Sequence, residues 1–190
     1  MIVIKDLEVR QMETELNSNE NVLEGYALKF NSLSNVMRSG KIHFREIIAP
    51  RALENTDLSN VVAYFNHDKN QVIGRLGANM QLETDDIGLR FKIDLPDTQL
   101  SRDLKAQISS GIINQCSFGF TLGDNATKWE KSTEDGVDYV RTINQFKVIR
   151  DVSVVTNPAY PDTEVHVRSM PDNDFAKEKF ELQKQALLDF

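Results

Sequence analysis

The chain has 190 residues, 40% hydrophobic and 27% charged, which suits one globular domain with a real core and leaves a second domain cramped. A formal charge of −7 and the absence of clustered Lys and Arg argue against a phosphate-tracking nucleic-acid binder and a polybasic membrane anchor. Cys116 is the single cysteine, so an internal disulfide and a Cys-rich zinc motif are excluded; Met1–Asp6 lacks a signal-peptide core and no run is long enough to span a bilayer, which predicts a soluble protein of a reducing compartment.

Two strands are predicted first, Ile2 to Arg10 and Asn21 to Phe30, joined across the polar Asn17–Glu20 segment as a hairpin or a loose connection. Ser32 to Gly40 reads as an exposed loop and Ile42 to Ile47 as a short strand with His43 at its edge. Pro50 is placed to open a short helix through Arg51–Glu54. The β-branched and aromatic run Val61–Phe65 predicts a buried strand, ended by the turn chemistry of Asn66–Asn70. Short strands follow at Val72–Leu76 and Met80–Leu82, and a turn at Asp85–Gly88 leads into Leu89–Leu95, whose strict alternation turns Leu89, Phe91, Ile93 and Leu95 to one face.

The clearest helix starts after Pro96, with Asp97 or Thr98 as N-cap, repeats Leu100, Leu104 and Ile108, and closes at Gly111. It delivers the chain into the apolar strand Ile112–Phe120. Gly123 to Gly136 is polar, a long loop or a hairpin with Trp129 its one large apolar residue, and β character resumes from Val137 to Ile149. In Arg150–Thr156 a strand would put Asp151 and Ser153 on one side and Val152 and Val154 on the other, before Pro158 and Pro161 end it. From Pro171 the composition changes, and Asp174–Phe190 reads as a charged helix with a loose apolar stripe. The predicted division is therefore a domain at 1–168 and a helical tail at 169–190. Strand-rich order with a few helices and no βαβ regularity gives an α+β, mainly β class.

Chemistry is suggested by Asn114–Phe120, where Ser117 stands between bulky apolar residues and Gly119, anchored on a rigid element. Serine needs a base, commonly histidine held by a third polar group, and His67 at a strand end is a plausible one among the three histidines. Spacing alone does not bring these residues together: a lone serine in an apolar strand is usually structural, a histidine in a polar turn usually superficial, and Asp151 could be a strand-edge charge or a partner of Arg150. Cys116 could serve a thiol mechanism, although a free cysteine is more often a small buried hydrophobe. His43, His67 and His166 show no metal-ligand spacing, and no cofactor is expected.

Taken together, Glu24-Gly25-Tyr26-Ala27, Phe44-Arg45-Glu46, Asn66-His67-Asp68, Gly88–Phe91, Leu95–Thr98, Ser117–Phe120, Asp151–Thr156 and Pro158–Pro161 resemble, in order and spacing, the prohead proteases of tailed bacteriophages. The resemblance covers most of the chain. It implies a serine endopeptidase that cleaves scaffold and major capsid protein segments inside the prohead in the host cytoplasm, with homo-oligomerisation left open. It also implies a fold similar to the herpesvirus assembly proteases, a β-barrel-like sheet surrounded by helices. By the same resemblance Ser117 corresponds to the nucleophile, His67 to the general base and Asp151 to the acidic third member, where related sequences often have Glu. The shorter side chain predicts a contact with His67 that is longer or bridged by water, and His166 competes for the third role. A non-catalytic scaffold-interaction module is the alternative from another class.

Overall fold

The computed structural model describes residues 7–13 and 21–156. The predicted tail helix, the boundary near Arg168, His166 and the first residues of the predicted opening strand lie outside the described residues. Among those described, the strands are β1 (Glu8–Glu13), β2 (Val22–Lys29), β3 (Met37–Ser39), β4 (Ile42–Ile48), β5 (Val62–Phe65), β6 (Val72–Arg75), β7 (Met80–Thr84), β8 (Gly88–Asp94), β9 (Gln115–Leu122), β10 (Thr127–Lys131), β11 (Tyr139–Ile143) and β12 (Phe146–Val155). One helix, α1 (Gln99–Ser109), accompanies them.

The strands form three sheets, ordered β1-β9-β12-β5-β6, β10-β11-β4-β3 and β2-β8-β7. The mainly β class is thus as expected; no closed barrel is found among the described residues, and α1 is the one helix among them. One core joins the sheets: Leu23, Leu28, Leu89, Phe91 and Ile93 come from the smallest, Phe118, Phe120, Val152 and Val154 from the largest, and Leu104 and Ile108 from α1. Three phenyl rings knit β9 to β12, with Phe118 and Phe120 centroids 5.3 Å apart and Phe146 edge-on to Phe120 at 5.0 Å. No helix among the described residues is long and apolar enough to cross a membrane.

The helix begins where the sequence puts it, and the cap is Thr98 rather than Asp97: its Oγ1 accepts from the Ser101 backbone N–H at 3.2 Å. Gly111, at φ +73°, takes the left-handed conformation that turns the chain out of the helix. Of the two connections expected between β1 and β2 the hairpin drops out, because β1 adds to β9 and β2 to β8. Two local expectations change. The segment read as a loop contains β3, which pairs with β4 across Gly40, at φ +59°. Arg51–Glu54 is a run of turns, not a helix: its bonds, Ala52 N–H to Ala49 O and Glu54 N–H to Arg51 O, span three residues and never settle into an i to i−4 ladder. The polar stretch around Trp129 resolves as the β10–β11 hairpin, with the indole packed on Phe44 at 5.1 Å.

Candidate active site

Strand β9 alternates its side chains between two environments. Cys116, Phe118 and Phe120 enter the core, while Ser117 and Gly119 turn to the opposite face. Antiparallel pairing sets Ser153 across from Ser117 and Asp151 across from Gly119 on β12. Parallel pairing then sets β5 beside β12, with Asp151 level with Val62 and Ser153 level with Tyr64. β5 therefore ends just beyond this polar pair, and its next residues turn over it.

That turn carries His67. Asn66 and His67 both have positive φ, 53° and 57°, and the Asp68 N–H closes on Phe65 O at 3.0 Å, the pattern of a type I′ turn. Left-handed backbone costs a non-glycine residue about 1–2 kcal/mol, so external bonds must hold it. Asn66 supplies them: its N–H donates to Val154 O at 2.9 Å, and its Oδ1 accepts from the Thr156 N–H at 3.0 Å and the Thr156 hydroxyl at 3.3 Å. The turn is pinned to the end of β12, the strand that carries Asp151.

The result is a continuous hydrogen-bonded series. His67 Nδ1 lies 2.7 Å from Asp151 Oδ1, and His67 Nε2 lies 2.6 Å from Ser117 Oγ. The aspartate thus reaches the ring directly, contrary to the expected longer or water-bridged contact. Gly119 makes this possible, since a Cβ at that position would stand 2.3 Å from Asp151 Oδ2; the carboxylate occupies the space a side chain would fill. Ser153 Oγ donates to Asp151 Oδ1 at 2.9 Å and sits 3.1 Å from His67 Nδ1.

Ser117 is fully buried, and its hydroxyl has a second neighbour, the Arg10 carbonyl oxygen of β1 at 2.9 Å. One proton faces two acceptors. When Nδ1 carries the ring proton toward Asp151, Nε2 is an open acceptor and the nearer one. When the ring is doubly protonated, Nε2–H donates to Oγ and the hydroxyl proton turns to Arg10 O.

β1 is held there by an ionic cluster on the core side of the sheet. Arg10 donates to both Glu46 oxygens, from Nε at 2.7 Å and Nη2 at 2.9 Å, and Nη2 also reaches Glu8 at 2.7 Å. Arg141, with no exposed surface, joins Glu8 at 2.7 Å and Glu46 at 2.9 Å through Nη1. Burial works against the Arg10 guanidinium charge, but Glu46 and Glu8 outweigh it and raise its pKa.

The remaining candidates separate clearly. Cys116 lies in the core on the far face from Ser117, and burial alone drives its thiol pKa well upward, which removes it from thiolate chemistry. His43 is exposed on β4, in a different sheet, with its Nδ1 3.9 Å from Asp138 Oδ2, and it takes no part in this series. Sequence reasoning missed Ser153 and Gly119 as parts of the site; the alternation that put Ser153 beside Asp151 was the available signal.

A hydroxyl on β9 and a carboxylate on β12, bridged by an imidazole on the turn after β5, have the order of groups found in serine hydrolases. A family model described as caudovirus prohead serine protease matches residues 5–177, so the chain belongs to that family. No curated protein and no solved structure matches it.

Proposed function

We propose that the protein is the maturation endopeptidase of a phage prohead, cutting scaffold and major capsid protein segments through an acyl-enzyme on Ser117. The observation that carries the reading is the direct series from Asp151 through His67 to Ser117, with links of 2.7 and 2.6 Å, within a chain of the prohead serine protease family. His67 Nε2 takes the Ser117 proton as Oγ attacks the peptide carbonyl, and Asp151 stabilises the imidazolium that forms. As the tetrahedral intermediate collapses, the C–N bond breaks and Nε2–H protonates the leaving amine. Water then enters, gives a proton to Nε2 and attacks the ester carbonyl; the new acid leaves as Oγ recovers the proton. The family reading extends to a relationship with the herpesvirus assembly proteases, supported by the mainly β architecture and a serine presented from a strand. It also extends to action within the prohead in the host cytoplasm, and to the division of the chain near Arg168.

Incubating the purified chain with its scaffold or capsid partner and identifying fragments by mass spectrometry tests the reading. Defined fragments that vanish with Ser117→Ala are expected. Binding to the partner with no cleavage by the wild-type chain would make it an assembly module instead.

A further inference from the structure

Ser153 has no role in the mechanism just described, yet it is fully buried on the reactive face, directly across from Ser117 in the β9–β12 register. Its Oγ, His67 Nδ1 and Asp151 Oδ1 form a closed triangle with sides of 2.7, 2.9 and 3.1 Å. A hydroxyl brings one proton and two lone pairs to such a triangle. The carboxylate has no proton to give, so the Ser153 proton goes to Asp151 Oδ1. A lone pair of the same hydroxyl is then left facing Nδ1–H, which already points at Asp151.

The geometry points to Ser153 as a positioning residue that clamps Asp151 and His67 to each other, resting on the reading of Ser117, His67 and Asp151 given above. Two consequences follow from the triangle. Donation to Oδ1 fixes the carboxylate against rotation about its short stem, while its other oxygen rests over the bare backbone of Gly119, 2.3 Å from where a Cβ would be. Acceptance by Ser153 gives Nδ1–H a second acceptor, so the proton stays on Nδ1 and the Nε2 lone pair stays aimed at Ser117. An aspartate reaching the ring directly from β12 is held on one side by the missing side chain of Gly119 and on the other by this hydroxyl.

A purely structural serine and a positioning one predict different results. Ser153→Ala keeps the strand and removes a single oxygen. Positioning predicts that kcat on a scaffold-derived peptide falls about 10- to 100-fold, the scale of one hydrogen bond to a charged group, with KM unchanged and the His67 Nδ1–H proton resonance displaced. Ser153→Thr, which keeps the hydroxyl, restores most of the loss. Should Ser153→Ala not fold, Ser153→Cys, close in size and a weak donor, shows the same selective fall in kcat. A folded Ser153→Ala or Ser153→Cys with wild-type kcat and an unmoved resonance overturns the inference while leaving the protease reading intact. Wild-type protein that neither cuts the peptide nor is labelled at Ser117 by a fluorophosphonate overturns both.

Discussion

Strand β9 separates two largely buried clusters of polar and charged side chains. On its Phe118 and Phe120 side, Glu8, Arg10, Glu46 and Arg141 meet as two cations and two anions, each bonded to partners of opposite sign, with the Arg10 guanidinium 5.4 Å from the Phe120 ring centre. On its Ser117 side stand one carboxylate, one imidazole and two hydroxyls. The first cluster is balanced with every group ionised, so its protons have nowhere useful to go, and its effect is to fasten β1 to β4 and β11. The second contains a ring that can take a proton, next to a hydroxyl that can lose one. Burial serves both, but in the first it locks charge and in the second it lets a single proton transfer matter. The two are joined through Arg10, whose side chain belongs to the locked cluster and whose carbonyl faces Ser117 Oγ at 2.9 Å.

The largest effect expected breaks the mobile side. Ser117→Ala should abolish cleavage, on the scale of about 10⁶-fold seen when a serine nucleophile is removed, while Cys116→Ala on the core side of the same strand should retain most activity. Peptide turnover and circular dichroism on both variants check this. A dead Cys116→Ala beside an active Ser117→Ala would reverse the assignment of the two faces.

Next comes Asp151→Asn, which should keep the fold and lower turnover by up to about 10⁴-fold, because the amide can hold the wrong imidazole tautomer. Gly119→Ala attacks the same contact from below: its Cβ would stand 2.3 Å from Asp151 Oδ2 and push the carboxylate off its place beside the ring, and because the displaced group keeps its charge the loss should be smaller than that of Asp151→Asn. Turnover of the two variants on one peptide, together with that of His166→Ala, tells whether the third role belongs to Asp151. A large loss in His166→Ala with near-normal Asp151→Asn would transfer it.

How much of this was legible beforehand divides along the same line. Elements built from neighbours in sequence were readable: α1 from Leu100, Leu104 and Ile108, and β8 from an alternation that burial repeats residue by residue. Ser117, His67 and Asp151 were readable only through resemblance, because 50 and 84 residues separate the bonded pairs and no local pattern encodes that meeting. The locked cluster was not readable at all. Charged residues alternating with apolar ones in a strand look like a solvent face, and only the pairing of β1 with β9 and of β11 with β4 turns Arg10, Glu46 and Arg141 inward together. Gly119 was visible as a glycine, but its reason lies in a carboxylate carried by another strand.

The locked side is tested through stability. Arg141→Met should destabilise the fold by about 3–5 kcal/mol, the cost of leaving a buried partner charge uncompensated, as read by chemical denaturation. Replacing Glu8, Arg10, Glu46 and Arg141 together by apolar residues of similar volume should cost much less, since no orphaned charge remains. A single Arg141→Met variant as stable as wild type would mean that Glu8 and Glu46 are compensated without Arg141, through Arg10 alone.

The smallest effect is a pH dependence at Glu8, the member of that cluster with the most exposed side chain. Burial by itself would raise its pKa, but the Arg141 hydrogen bond and the charges of Arg10 and Arg141 outweigh burial and hold it below the ordinary carboxylate value. The folded state therefore binds the Glu8 proton less readily than the unfolded chain does. Its contribution to stability is fully present above the unfolded value, near pH ~4.3, and is lost as pH falls from there through the lower folded value. Glu8→Gln carries no such titration, so the stability gap between wild type and variant should be constant at neutral pH and narrow in acid. Urea denaturation of both proteins across that range measures the gap. A gap that stays constant, or widens, as pH falls would show that the arginines do not hold Glu8 ionised, and would remove β1 from the locked cluster at that end.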